Sequence, residues 1–287
     1  ISNHRDIVLD SALLSVMLFE SGSNTTCEIA IGDNLLALPW VKDLVRVNKS
    51  FIVKRSLSMR EMLLASKLLS EYMHYVINDK HDNVWIAQRE GRAKDSNDRT
   101  QEAILKMMVM GGKGPVVDSL LDLHLVPLAI SYEYDPCDFL KAQEFQLKRD
   151  IPGWKKSAQD DIVSMQTGIM GYKGHIHYHA APCIDAWLRE LPADTSKADI
   201  FRIIAEHIDR EIHAHYQLFP ANYVALDMLQ GNDAHADKYS AADKAQFEKY
   251  LVGQLAKIQI ENKDEAYLRE CILKMYANPA INQLALA

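Results

Sequence analysis

The chain begins Ile1-Ser2-Asn3-His4-Arg5-Asp6-Ile7-Val8-Leu9-Asp10, with a histidine and, shortly after it, two carboxylates. The apolar runs 12–14 and 16–19 follow this stretch, spaced like the buried face of a helix. We therefore expect a strand ending near His4, a short turn, and a helix beginning near Asp10. A histidine facing a carboxylate across such a turn can act as a general base with an orienting partner. The simpler alternative is an aspartate that caps the helix beside a loop histidine.

The expected strand needs residues before Ile1, so we expect an N-terminally truncated or processed chain. No signal peptide is recognisable, and every apolar stretch is shorter than the roughly 18 residues of a membrane span. The 287 residues are 48% hydrophobic and 25% charged, which is typical of a globular protein with a large core.

The charge and cysteine content exclude some classes of protein. With 32 basic and 39 acidic residues the net charge is −7, which argues against general nucleic-acid binding. The four cysteines are scattered and form no Cys-x-x-Cys pair, which favours a reducing compartment and argues against a zinc knuckle or a disulfide framework.

Strand-like and helix-like segments alternate in the first half of the chain. Strands are predicted at 27–32, 50–53, 84–87 and 126–131, and helices at 59–77 and 100–110. This alternation predicts an α/β fold with a mainly parallel sheet flanked by helices. In such sheets the ligand site lies beyond the carboxyl ends of the strands. Each of four polar residues follows an apolar strand in this way: His4, Arg55, Glu90 and Ser131.

The second half of the chain is predicted to be mainly helical. From residue 138 onward the exception is an alternating strand at 174–184, and helices are predicted at 200–218, 241–260 and 265–276. We therefore expect an α/β domain over 1–190 and a C-terminal helical region over 191–287, packed on it.

The ordered motifs resemble those of the glycerophospholipid acyltransferase superfamily, which includes glycerol-3-phosphate and 1-acylglycerol-3-phosphate acyltransferases. The matching residues, in chain order, are His4 with Asp10, Phe51-Ile52-Val53-Lys54-Arg55, Glu90-Gly91-Arg92, and Val126-Pro127. The segment 30–36 also looks like the one that the family has between its first two motifs. The resemblance covers about the first half of the chain, and Tyr132-Glu133-Tyr134 leans toward the glycerol-3-phosphate branch.

The resemblance implies a role for each motif. His4 would be the catalytic base and Asp10 its partner. The substrate-binding residues would be Lys54, Arg55, Glu90, Gly91, Arg92 and Lys94. The basic members would hold an acceptor phosphate, and Glu90-Gly91 would shape the acceptor pocket.

Two spacings depart from the family pattern. Five residues separate His4 from Asp10 where the family has four, and only Arg5 separates His4 from Asp6. We expect Asp10 to be the partner and Asp6 to be a solvated turn residue. Arg92 follows Glu90 by two residues instead of three, so the phosphate contact could come from Arg92, from Lys94 or from both.

The function implied is transfer of a fatty acyl group from acyl-CoA or acyl-ACP (acyl carrier protein) to glycerol 3-phosphate or a lysophospholipid. Such an enzyme would need no further cofactor and no metal. It would act in phospholipid biosynthesis as a peripheral protein on the cytoplasmic face of a membrane, with segment 35–41 as a candidate contact.

Three other functions remain possible from the sequence. The acceptor could be another hydroxylated or amino-acid lipid, or the chain could be a catalytically degenerate lipid-binding member of the fold. A metallohydrolase would use one of two histidine sets, His175-His177-His179 or His207-Glu211-His215. We do not expect metal binding at either set, because no His-Glu-x-x-His is present.

Overall fold

The computed structural model describes residues 1–33, 36, 43, 45–54, 57–192, 194–196 and 198–287. Two sequence predictions lie outside the described residues: Arg55, and most of the membrane-contact segment 35–41.

The elements follow the predicted alternation. The strands are β1 (Glu28–Gly32), β2 (Ser50–Val53), β3 (Val84–Trp85), β4 (Leu128–Tyr132) and β5 (Ile176–Ala180). The α-helices of the described part are α1 (Leu9–Glu20), α2 (Met59–Asn78), α3 (Glu102–Met108), α4 (Val116–Leu121), α5 (Asp138–Asp150), α6 (Ala158–Met170), α7 (Asp185–Arg189), α8 (Ile200–Ala214), α9 (Pro220–Gln230), α10 (Ala241–Lys257) and α11 (Glu265–Leu284). Short 3₁₀ helices span Val109–Gly111 and Ala236–Lys238.

The sheet is mainly parallel, as predicted. Strand β1 pairs in parallel with β2 on one side and β3 on the other. Ser2 forms parallel bridges to Ala87 and to Leu128, so residues 1–3 join β3 to β4. Strand β5 pairs antiparallel with β4 and is the one exception to parallel pairing among the described strands. The order across the sheet is therefore β2, β1, β3, residues 1–3, β4 and β5.

Residues 1–3 are held from both sides. The Ser2 amide donates to the carbonyl of Ile86 at 3.2 Å, and the Ser2 carbonyl accepts from the Gln88 amide at 2.8 Å. On the other side the Asn3 side chain pairs with the Ile130 backbone, donating at 2.9 Å and accepting at 2.8 Å. Since both neighbours run parallel to this segment, His4 emerges at the carboxyl edge of the sheet.

Helices cover both faces of this sheet. One apolar core lies between the sheet and the helices α2, α3, α4 and α8. On the other face Leu14 and Leu18 of α1 pack against the sheet. The prediction that the apolar runs 12–14 and 16–19 form a buried face of α1 is wrong in part, because Val16, Met17 and Phe19 are exposed. Leu14 and Leu18 lie one turn apart on a single face, and the exposed residues point elsewhere around the helix.

A second core lies among the C-terminal helices α9, α10 and α11 and helix α5. The predicted helix 200–218 ends at Ala214, and a separate helix begins at Pro220. Proline is disfavoured inside a helix but suits its first turn, which explains why a new helix begins at Pro220. The helix predicted to end at residue 276 continues through the buried Pro279 to Leu284.

A buried carboxylate ties α5 to α10 and α11. Asp138 accepts hydrogen bonds from the hydroxyls of Tyr250 at 2.9 Å and Tyr276 at 2.8 Å, and also from Gln254. Burial raises the pKa of Asp138 to about 7. The C-terminal helices are thereby fixed to the segment that follows β4. Among the described helices, none has the length and apolar character needed to cross a membrane.

Candidate active site

His4 and Asp10 meet at the carboxyl edge of the sheet. The Nδ1 atom of His4 lies 2.8 Å from Oδ2 of Asp10, and the Asp10 side chain is fully buried. The same oxygen accepts the backbone N–H groups of Arg5 at 2.6 Å and Asp6 at 3.1 Å. The turn thus wraps around the carboxylate, which is how the longer spacing still brings the pair together. With Nδ1 directed at Asp10, Nε2 is the ring nitrogen left to take a proton.

Asp6 does not have the position expected for it. It is buried, and its Oδ1 accepts the backbone N–H groups of Val8 at 2.9 Å and Leu9 at 2.8 Å, at the entry to α1. Burial raises the pKa of Asp6. The expectation of a solvated turn residue is wrong, because unpaired N–H groups at the start of a helix need an acceptor.

Two buried contacts orient the His4 loop, the turn between residue 3 and the start of α1. The Trp85 ring packs edge-on against His4, with centroids 5.7 Å apart, and its Nε1 donates to Ser2 Oγ at 3.0 Å. The Arg5 guanidinium forms an ion pair with Asp98 at 2.7 Å, and both side chains are almost fully buried. Neither contact was visible in the sequence, since the partners are far apart along the chain.

Two tyrosines surround Asp10. The Tyr178 hydroxyl donates to the Asp10 backbone carbonyl at 2.9 Å. The hydroxyl of Tyr132 lies close to the Asp10 carboxylate, and neither it nor Oδ1 of Asp10 has another hydrogen-bond partner within the described ranges. Burial, reinforced by the Asp10 charge, raises the pKa of both tyrosines, so both stay protonated beside the carboxylate. Tyr132 could have been suspected from its place at a strand end; Tyr178 had no such signal.

The Glu90-Gly91-Arg92 motif lies in the loop after β3, beside residues 1–3. Gly91 has a φ of +68°, a conformation that favours glycine, and the Glu90 amide donates to Gln101 Oε1 at 2.8 Å. Nη1 of Arg92 is buried and has no hydrogen-bond partner among the residues described. The Arg92 charge acts on Asp6, two residues from His4. Arg92 is thus a cation with an unused donor near the His4 loop.

The other predicted cations are arranged differently. Lys94 forms an ion pair with Glu144 of α5, which also pairs with Lys148 at 2.8 Å. Lys54 is exposed at the end of β2, and three strand spacings, about 14 Å, separate β2 from residues 1–3. The structure brings Arg92 toward the His4 loop and gives Lys94 a carboxylate partner.

The two predicted histidine sets are engaged in ring stacking. The rings of His179 and His215 stack with centroids 4.3 Å apart, and His207 stacks on Trp187 at 3.8 Å. In the part of the chain that the structure describes, neither set brings three ligand atoms together.

A glycine in α6 makes room for Asp6. A Cβ atom at Gly168 would lie 2.0 Å from Asp6 Oδ2. We predict that Gly168→Ala lowers the melting temperature, because it displaces a buried carboxylate that holds the start of α1. A buried acceptor that loses its partners costs about 1–3 kcal/mol, which thermal unfolding followed by circular dichroism will detect.

Gly253 provides the matched control, since it lies in helix α10 and its Cβ would meet nothing within 4 Å. Gly253→Ala should leave stability unchanged or raise it by up to about 1 kcal/mol, the helix preference for alanine. Equal melting temperatures for the two variants would show that Asp6 is not held against α6.

Comparison with known proteins agrees with the motifs. Residues 1–131 match the family model described as Acyltransferase, a range that includes His4, Asp10 and the Glu90-Gly91-Arg92 loop and ends within β4. No curated protein matches the chain significantly. The resemblance of the sequence to the glycerophospholipid acyltransferase superfamily is thereby confirmed over residues 1–131.

Proposed function

We propose that the protein transfers a fatty acyl group from acyl-CoA or acyl-ACP to a hydroxyl of glycerol 3-phosphate or a lysophospholipid, in phospholipid biosynthesis. The match of residues 1–131 to the Acyltransferase family model supports acyl transfer in general. The observation that carries the proposal is the contact of His4 Nδ1 with the buried Asp10 carboxylate at 2.8 Å. We also propose that the α/β domain extends over 1–190, with 191–287 as a helical region packed on it.

In this mechanism His4 Nε2 takes the proton of the acceptor hydroxyl as its oxygen attacks the thioester carbonyl. The carbon–sulfur bond then breaks, and the imidazolium returns the proton to the thiolate that leaves. Asp10 fixes the ring tautomer and stabilises the imidazolium in between. The tyrosines beside Asp10 keep water away from the carboxylate without adding negative charge. No covalent acyl-enzyme is required, because no cysteine lies within the motifs.

An acceptor phosphate would bind at Arg92. A guanidinium binds phosphate in a planar fork, and Nη1 of Arg92 is a buried donor that no described residue satisfies. Glu90 and Gly91 shape the same loop. The motif resemblance assigns Arg55 and Lys54 to this phosphate as well.

We further propose that the protein contacts the cytoplasmic face of a membrane through α2 and β2. The first half of α2 exposes large apolar side chains that a soluble surface would not need: Met59, Met62, Leu63, Leu64 and Leu68. A groove of about 600 Å³ runs between this helix and β2. Arg60 and Lys67 are also exposed, and they lie about two turns apart on one face of α2, which suits anionic headgroups. Both the donor chain and the product are lipidic, so such a contact would bring the site to its substrates.

The two aspartates near His4 allow a direct test of the base. Asp10→Asn should lower kcat by about 10²–10⁴, as loss of the base in His4→Ala should, because an amide cannot stabilise the imidazolium. Asp6→Asn should cost far less activity, since an amide oxygen can still accept the N–H groups of Val8 and Leu9. Thioester consumption with glycerol 3-phosphate is the measurement.

Circular dichroism of each variant is the control for folding. Wild-type turnover in a folded His4→Ala would contradict the mechanism, and a larger loss in Asp6→Asn than in Asp10→Asn would make Asp6 the partner.

The variants Arg92→Ala and Lys94→Ala form a matched pair that tests which cation binds the acceptor phosphate. Arg92→Ala should raise the KM for glycerol 3-phosphate by about 10- to 150-fold, since a charge-assisted hydrogen bond contributes roughly 1.5–3 kcal/mol and each tenfold is about 1.4 kcal/mol. The KM for the thioester and the kcat should change little, because the contact exists in ground and transition states alike. Lys94→Ala, whose lysine is paired with Glu144, should affect the acceptor KM less.

With an uncharged alcohol as acceptor, the acceptor KM should be the same in Arg92→Ala as in the wild type. If neither variant, nor Arg55→Ala, weakens a phosphorylated acceptor, the phosphate assignment fails and another hydroxylated or amino-acid lipid becomes the first candidate.

The membrane contact is tested by sedimentation with vesicles of anionic phospholipid. The double change Leu64→Glu and Leu68→Glu should weaken binding at least tenfold, because burial of one leucine is worth about 1.5–3 kcal/mol. Val252→Glu is the control, since Val252 is an exposed apolar residue of α10 in the C-terminal region. Equal sedimentation of the two variants would rule out α2 as the contact.

A further inference from the structure

Three side chains of metal-ligand type meet away from the His4 site. They are His124, which precedes β4, and Cys183 and Asp185, which follow β5. Their ligand atoms all lie within 4.8 Å of one another. Because β4 and β5 are antiparallel, the start of one and the end of the other lie at the same edge of the sheet. That edge is opposite the carboxyl edge from which His4 emerges.

The contacts within this trio leave one oxygen unused. His124 Nδ1 lies 2.6 Å from Asp185 Oδ2, and the Asp185 side chain is only 15% exposed. Its other oxygen, Oδ1, is buried and has no hydrogen-bond partner in the described part of the chain. The Arg189 guanidinium lies 4.0 Å from Oδ2 of the same carboxylate. A buried carboxylate oxygen without a donor is costly, and a bound cation would remove that cost.

The backbone holds the two segments in place. The Ile184 amide donates to the Leu125 carbonyl at 3.0 Å, and the Ala181 amide donates to the Pro127 carbonyl at 2.9 Å. His124 and the 183–185 segment are therefore fixed side by side by hydrogen bonds that do not involve the trio. The ligand set is positioned by the sheet and needs only side-chain rotation to adjust.

We propose that His124, Cys183 and Asp185 bind a divalent transition-metal ion of the zinc class. Imidazole, thiolate and carboxylate are zinc ligands, whereas Ca²⁺ and Mg²⁺ prefer oxygen alone. Tetrahedral bonds of about 2.0–2.3 Å put ligand atoms about 3.3–3.8 Å apart, a spacing within reach of this trio. His124 and Cys183 are exposed, so the ion has a route in and water can take the fourth position.

The ion would join the start of β4 to the end of β5. His124 belongs to the region that matches the acyltransferase family, and Cys183 and Asp185 lie beyond it. The metal ion thus cross-links that region to the rest of the chain. Its effect is on stability, since the ligands lie at the edge of the sheet away from His4.

Zinc protection of Cys183 against a chromogenic disulfide reagent tests the site in the full chain. Cys27, Cys137 and Cys271 are buried, so the fast-reacting thiol of the folded protein is Cys183. One equivalent of Zn²⁺ should slow its reaction and raise the melting temperature. Co²⁺ in place of Zn²⁺ should give a sulfur-to-cobalt charge-transfer band that is absent in Cys183→Ser.

Changes at the other two ligands should weaken metal binding. His124→Asn and Asp185→Asn should each lower the affinity by at least the roughly 10- to 100-fold that loss of an outer-shell partner costs. His124 has a φ of 47°, a conformation that asparagine tolerates, so that variant keeps the backbone. His175→Asn is the control, because His175 pairs with Glu133 at 2.7 Å and is also exposed. It should leave zinc binding unchanged.

Two results would overturn the site. Thiol reactivity unaffected by Zn²⁺ would show that no metal reaches Cys183. Protection that persists undiminished in both His124→Asn and Asp185→Asn would show that the thiol binds metal alone. Both readouts are independent of acyl transfer, so they hold whether or not the proposed function is correct.

Discussion

The pairing of residues 1–3 between β3 and β4 holds the sheet together and positions His4. It joins the strands on either side into one sheet, through the bridges of Ser2 to Ala87 and Leu128. It also fixes the direction in which the chain leaves the sheet, and so the position of His4. Asn3 adds a side-chain pairing with the Ile130 backbone, which a residue without both a donor and an acceptor could not make.

The buried carboxylate of Asp10 is the second constraint. An ionised carboxylate without water is unfavourable unless donors surround it. Two backbone N–H groups and His4 satisfy one oxygen, and these same contacts close the turn. The group that would serve catalysis therefore also holds the loop. Asp6 supports it from the other side by accepting the N–H groups at the entry to α1.

The C-terminal helices brace the loop that carries Arg92. The Asn278 side chain donates to the Asp95 carbonyl at 2.7 Å, and Arg99 donates to Asn282 at 3.2 Å. The Thr100 amide donates to the Asp209 carboxylate of α8 at 2.7 Å. The region beyond the family match thus contacts the segment directly after the Glu90-Gly91-Arg92 motif. A polar loop at a sheet edge needs hydrogen-bond partners to stay ordered, and the C-terminal helices supply several of them to the segment after Arg92.

The sequence predicts the alternation of strands and helices, the emergence of His4 at the carboxyl edge of the sheet, and its pairing with a nearby carboxylate. These features are local, because strand and helix periods and turn spacing depend on neighbours along the chain. Three features depend on tertiary contacts: the burial of Asp6 beside Gly168, the pairing of Lys94 with Glu144, and the position of Tyr132 and Tyr178 beside Asp10. The tertiary structure alone brought His124 to Cys183 and Asp185, which are far apart in sequence and carry no motif. The meeting of His124 with Cys183 and Asp185 follows from the pairing of β4 with β5, and no local pattern of residues encodes that pairing.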